Sequence, residues 1–181
     1  SRKGWDPTKI ENYERLDSDQ KVKEFSLLNI STARHMIPHL IDKVWSLYQS
    51  SGEFVITDNP VVMNNTVNQS PHRSTIGIAV TGIEIYLPIS PDYTLALICR
   101  QTFAEMVEHF ERNSQTLDHL GLYGLRNFVN YIRRKLPFPC EPDNVTYLNS
   151  LQVASAGRFV FAPTDRFDLA RQMIFDHPHL R

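Results

Sequence analysis

The residues with the clearest chemical potential lie in the run Glu53-Phe54-Val55-Ile56-Thr57-Asp58-Asn59-Pro60-Val61-Val62. A hydrophobic stretch ends there in short polar side chains just before a proline, so those polar groups are expected where a strand turns and buried walls give way to solvent. In that position Asp58 could serve as a general base, a metal ligand or a nucleophile, with Asn59 or Thr57 donating hydrogen bonds. The same residues also suit an Asx-turn, in which Asp58 and Asn59 bond their own backbone and Pro60 stiffens the corner. Asn149 is the third candidate. It shares a helical face with Val145 and Gln152, so its carboxamide is expected to point inward, where a buried amide must find partners. The Asp58-Asn59-Pro60 turn is the expected partner.

Two other groupings carry chemistry. His35 and His39 are four residues apart with Asp42 three further on, which on an unbroken helix would place three metal ligands on one face. Pro38 falls between the histidines, and a solvated polar face accounts for the same residues, so no metal ligand set is assigned. Arg126, Arg133, Arg134 and Lys135, with Tyr123 and Tyr131 nearby, form a basic cluster able to hold a phosphate backbone or stack a base. Cations at a helix C-terminus also offset the partial negative charge of unpaired carbonyls, which is the ordinary explanation. Nucleic acid binding is expected only through this local patch, and no other partner is indicated. P-loop, paired C-x-x-C, G-x-S-x-G and G-x-G-x-x-G patterns do not occur, so no cofactor and no cofactor-binding residue is assigned.

The elements that must position these groups follow from periodicity. Apolar residues at Ala33, Met36, Ile37, Leu40, Ile41, Val44, Trp45 and Tyr48 recur in steps of three and one, which predicts a helix from 33 to 48, kinked or restarted at Pro38. A weaker helical stretch, 18–28, precedes it. Residues 53–57 are expected to form a strand buried on both faces, and the polar run 64–76 a loop long enough to act as a lid. Ile83 to Leu87, the turn Ser90-Pro91-Asp92-Tyr93 and Thr94 to Cys99 read as a β-hairpin. Helices are expected over 101–112, along the stripe Leu117 to Leu136, from an N-cap at Asp143 to about 155, and over 165–175, with a short strand at 159–161. Strands and helices without regular βαβ alternation indicate an α+β fold, a small mainly antiparallel sheet packed against several helices.

With 181 residues and roughly 150 per domain, the chain is expected to be a single α+β domain spanning 1–181. Nineteen Lys and Arg oppose 20 Asp and Glu, so a net charge of -1 provides no global field for polyanions. The longest apolar runs are about five residues against the roughly 20 needed to cross a bilayer, so no membrane insertion is expected. Cys99 ends an apolar run and Cys140 sits between prolines. Both are read as unpaired, which points to a reducing, cytoplasmic compartment. A start at Ser1-Arg2-Lys3, without an initiator methionine, reads as a piece of a longer protein.

Phe54 to Val62, Leu87-Pro88-Ile89-Ser90-Pro91, and Asn149 ahead of Ala156-Gly157-Arg158-Phe159-Val160-Phe161 follow one another in an order and spacing that resembles the domain of unknown function 4238 family over about residues 40 to 165. Members of that family carry a Phe-x-Thr-Ser-Asp-Asn-Pro-Val signature, a Leu-Pro-Leu-Ser-Pro hairpin and an Asn-containing helix before an aromatic strand. This chain has Ile56 and Thr57 where the signature has Thr and Ser, and the family's usual N-terminal half, with its His-Tyr-x-Pro element, is not recognised in it. The resemblance implies kinship without supplying an activity. The expected function is a ligand-binding or interaction module of a larger protein, with the Asp58 turn and the 64–76 loop bordering its pocket. The alternative is a metal-dependent hydrolase or nuclease centred on Asp58, with Asp92 or Glu84 as a second carboxylate within about 5 Å and the Arg133 cluster drawing phosphate.

Overall fold

The computed structural model describes residues 18–51, 53–68, 76–113 and 121–178. Contacts divide the chain into two compact units, Ser1–His39 and Leu40–Arg181. Helix α1 (Ser18–Ile41) begins in the first unit and ends in the second, and it runs through Pro38 without interruption. The two helical stretches expected at 18–28 and from 33 are therefore one element.

The helix does not continue to Tyr48. It stops at Ile41, and Val44–Gln49 is strand β1, which corrects the expected helix over 33–48. Val44, Trp45 and Tyr48 fit a helical stripe and a strand equally well by spacing, but their β-branched and aromatic side chains favour the pleated backbone once a partner strand is present. That partner is β5 (Tyr93–Ile98), which pairs antiparallel with β1 from Val44 opposite Ile98 to Gln49 opposite Tyr93. Strands β2 (Ile56–Thr57), β3 (Val62–Asn65) and β4 (Ile83–Pro88) precede β5. Helices α2 (Arg100–Asn113) and α3 (Gly121–Arg133), strand β6 (Phe138–Pro139), helix α4 (Pro142–Ser155), strand β7 (Val160–Phe161) and helix α5 (Asp168–Asp176) follow it.

The main sheet has the order β3-β4-β5-β1-β6, antiparallel except for the parallel β1–β6 pair, and β2 and β7 form a separate two-stranded sheet. With helices packed around a mainly antiparallel sheet, the fold is α+β. The expected hairpin is present as β4 and β5, closed where Ser90 and Tyr93 exchange backbone hydrogen bonds. The strand expected over 53–57 is reduced to Ile56–Thr57, and β3 occupies the start of the segment expected to be a loop from residue 64. Residues 69–75 of that segment and 114–120 of the Leu117–Leu136 stripe lie outside the described residues. Helix α4 begins with Pro142 in its first turn and Glu141 at the N-cap, so Asp143 lies inside the helix rather than capping it.

Side chains alternate across the main sheet. One face sends Val62, Tyr86 and Ala96 into a cluster with Phe54 and with Val145 and Leu148 of α4. The opposite face sends Ile83, Ile85 and Leu97 against Leu40, Ile78 and Val80. A sharp turn precedes β4 at Gly82, whose φ is 83° and where a Cβ would lie 2.6 Å from Asn65 Oδ1, so only glycine fits. Cys99 is buried, Cys140 is half-buried, and both thiols are free. Among the described residues no helix is long and apolar enough to cross a membrane. Ile98 is fully buried opposite Val44. Replacing it by alanine is expected to cost about 2–5 kcal/mol, read as a lower urea midpoint at unchanged slope.

Candidate functional site

The connection from β1 to β3 makes little use of strand pairing, since only Ile56 and Thr57 join a ladder. Several of its other backbone groups are met by side chains of α4. Asn149 Oδ1 accepts from Val55 N at 3.0 Å while its Nδ2 donates to Glu53 O at 2.8 Å. One turn on, Gln152 Nε2 donates to Pro60 O at 2.8 Å and its Oε1 accepts from the Thr57 hydroxyl at 3.2 Å. Asn149 therefore points inward as expected, but its partner is the backbone of 53–55. The amide that holds the Asp58 turn is Gln152, which is 1% exposed. The sequence signal for it was its shared face with Val145 and Asn149.

The other two candidates belong to the same latch. Asn59 Nδ2 donates to Ser155 O, and Ser155 Oγ donates back to Asn59 O, both at 3.2 Å. Asp58 Oδ1 accepts from Gly157 N at 2.9 Å, and Asp58 N donates to Phe159 O at 3.2 Å. A Cβ on residue 157 would lie 3.1 Å from Asp58 Oδ2, so Gly157 permits the close approach. Partial desolvation pushes the Asp58 carboxyl upward, but hydrogen bonds from the Gly157, Phe159 and Arg158 backbone outweigh it and hold the group below its ordinary value. Phe54 N donates to Pro91 O at 3.0 Å, so the Leu87–Pro91 segment meets the latch as well. Asp58, Asn59 and Asn149 are thus brought together, with each of their side chains already engaged by this chain.

The two carboxylates considered as partners for Asp58 have other surroundings. Asp92 is exposed in the β4–β5 turn. Glu84 accepts a hydrogen bond from the Tyr86 hydroxyl on the same face of β4. Burial raises the Glu84 pKa, against the opposing effects of the Tyr86 bond and of Lys43, whose Nζ donates to Ile83 O at 2.9 Å. Burial, and then the Glu84 charge, raise the pKa values of the Tyr48, Tyr86 and Tyr147 hydroxyls, so these remain protonated donors. His35 and His39 are exposed on α1, and the Asp42 carboxylate pairs with Arg100 at 2.9 Å. Among the described residues no group of three His, Cys, Asp or Glu side chains is placed to hold a metal ion.

Of the basic cluster, Arg126, Arg134 and Lys135 are exposed, and Arg133 pairs with Glu111 at 2.9 Å. Lys135 has a φ of 54° and, with Leu136, bonds back to carbonyls of the last turn of α3, so the cluster sits at a helix C-terminus. Tyr131 packs edge-on against Phe138.

The described residues form concavities beside the latch and at the other end of α4. A cleft of about 180 Å³ between α4 and α5 contains Asn149, Glu53 and Arg166, but Asn149 is committed to the backbone and Glu53 pairs with Arg166 at 3.2 Å. A groove of about 330 Å³ lies among Phe54, Ile56, Pro88, Ile89 and Phe161 and is almost wholly apolar. A third cavity, about 230 Å³, is walled by Tyr48, Tyr86, Phe128 and Phe138, with Asn144, Tyr147 and Leu148 of α4 closing it. Asn64 Nδ2 donates to the Tyr147 hydroxyl at 2.7 Å, so β3 joins α4 at this cavity. Sequence reasoning singled out none of these aromatic residues as a site, because their elements are distant in the chain.

Two outcomes follow from the latch. Gln152→Ala strands the Thr57 hydroxyl and the Pro60 carbonyl and is expected to cost about 2–3 kcal/mol, whereas Asn59→Ala, at an exposed position, should cost under about 1 kcal/mol in the same urea titration. Because the folded Asp58 pKa is depressed, its contribution is present above the unfolded value of about 3.9 and is lost as pH falls through the folded value. The stability difference between the parent chain and Asp58→Asn should therefore shrink as pH is lowered from about 6 to about 2.5, and a pH-independent difference would contradict the assignment.

No curated protein and no solved structure matches the chain. The model of the family described as Protein of unknown function (DUF4238) matches residues 6–166, which takes in α1, both sheets and α4, and extends N-terminal to the residues that carry the resemblance. The chain belongs to the domain of unknown function 4238 family.

Proposed function

We propose that this protein is a ligand-binding module whose site is the aromatic cavity between α4 and the main sheet. The observation that carries this reading is the pairing of a 230 Å³ aromatic-walled space with a half-buried carboxylate, Glu84, hydrogen-bonded to one of its walls through Tyr86. Ligand sites are typically apolar concavities with a few convergent polar groups and perturbed titration, and this cavity is favoured over the other two on that ground. The 180 Å³ cleft has its main polar groups paired internally, and the 330 Å³ groove offers little to orient a ligand. In this reading Asp58, Asn59 and Asn149 are architectural: they seat α4, which carries Asn144, Tyr147 and Leu148 to the cavity.

The test is a fragment screen on the full chain by NMR, with hits mapped by resonance shifts. Bound fragments should perturb Tyr48, Phe128, Phe138 and Tyr147, and Asn144→Trp, a change at an exposed position on the cavity wall, should abolish those shifts while leaving the melting temperature within a few degrees. Hits confined to the Phe54–Phe161 groove, or unaffected by Asn144→Trp, would overturn the assignment.

A further inference from the structure

The electrostatics of the cavity are one-sided. Four of its walls are Tyr48, Tyr86, Phe128 and Phe138, and Tyr147 adds a fifth ring. Tyr48 meets Tyr86, Phe138 and Phe128 at centroid distances of 5.6 to 6.2 Å and interplanar angles of 51° to 78°. Phe128 and Phe138 stand nearly perpendicular, at 85° and 5.0 Å. All five rings line the cavity, and an aromatic face is the negative end of the ring quadrupole.

Glu84 adds a carboxylate beside these rings, and among the described residues no cation lies within ion-pair distance of it. Lys43 acts on it only through its field, and its ammonium is committed to the Ile83 carbonyl. Aromatic rings and a carboxylate without an ion-pair partner both favour positive charge.

Resting on the cavity as the binding site, we infer that its ligand is an organic ammonium ion, held against the faces of Tyr48, Tyr86, Phe128, Phe138 and Tyr147 and balanced by the Glu84 carboxylate. The space suits a small cation. An apolar protein cavity of about 150 Å³ accepts benzene, so 230 Å³ takes a compact alkylammonium or a single-ring amine. A primary or secondary ammonium would also donate to hydroxyl oxygens, whereas a quaternary one relies on the rings and the carboxylate alone.

The experiment compares choline with its uncharged isostere 3,3-dimethyl-1-butanol on the full chain, by calorimetric titration with NMR mapping. Choline is expected to bind at the five rings at least about fivefold more tightly than the neutral compound. Glu84→Gln should remove most of that preference while leaving the weak binding of the neutral compound unchanged. Tyr147 is 43% exposed, so its variants do not depend on core repacking. Tyr147→Leu should weaken choline several-fold, and Tyr147→Phe, which keeps the ring face, should bind as the parent does. Equal binding of the two probes, or binding of neutral fragments in the cavity without choline, would overturn the cation assignment and leave the cavity as the site. Absence of any ligand from the cavity, choline and fragments alike, would overturn both.

Discussion

The seating of α4 depends on how the backbone between β1 and β3 is satisfied. That connection has only a two-residue ladder, so most of its amides and carbonyls are met outside it. Helix α4 meets three of them with two carboxamides three residues apart on one face, Asn149 and Gln152, which also takes the Thr57 hydroxyl. A carboxamide is suited to this task because it offers a donor and an acceptor from one planar group, enough to take up an N–H or O–H and a C=O together. Carboxylates could accept but not donate, and apolar residues would leave buried polar atoms unpaired.

Seating α4 in this way has a consequence at its other end. Val145 and Leu148 enter the core against Phe54, Tyr86 and Ala96, and on the same stretch Asn144 and Tyr147 reach the aromatic cavity. The Asp58 carboxylate closes the far side by receiving the backbone of Gly157, so the turn after α4 is fastened to the turn after β2. A polar latch of Asp58, Asn59, Asn149 and Gln152 thus holds one end of the helix while aromatic packing holds the other. The acidic group of the latch faces backbone N–H dipoles, whereas the acidic group by the cavity faces rings and a tyrosine hydroxyl. Backbone N–H groups thus hold the Asp58 carboxyl below its ordinary value, whereas burial holds that of Glu84 above it, against the opposing Tyr86 hydrogen bond and Lys43 charge.

Local patterns predicted the elements whose structure is local. The β4–β5 hairpin follows from alternation on either side of a proline turn, and α4 follows from the sequence between Pro142 and Ser155. The stripe from Ala33 to Tyr48 misled because Val44, Trp45 and Tyr48 satisfy helical spacing, and only the presence of β5 alongside decides for a strand. Asn149 was legible as an inward-facing amide from its place beside Val145, but a helical face does not name the backbone it will meet. Glu84 stood out as a carboxylate, and its pairing with Tyr86 two residues away is consistent with strand alternation.

The chain's order of residues carries the α+β class, the family resemblance and the inward face of α4, because each of these arises from neighbours within a few positions. Which amide grips which carbonyl, and the gathering of Tyr48, Tyr86, Phe128, Phe138 and Tyr147 around one space, arise from contacts between elements up to about a hundred residues apart. Periodicity is blind to such contacts, since it records which way a side chain faces along its own element and not what packing brings opposite it.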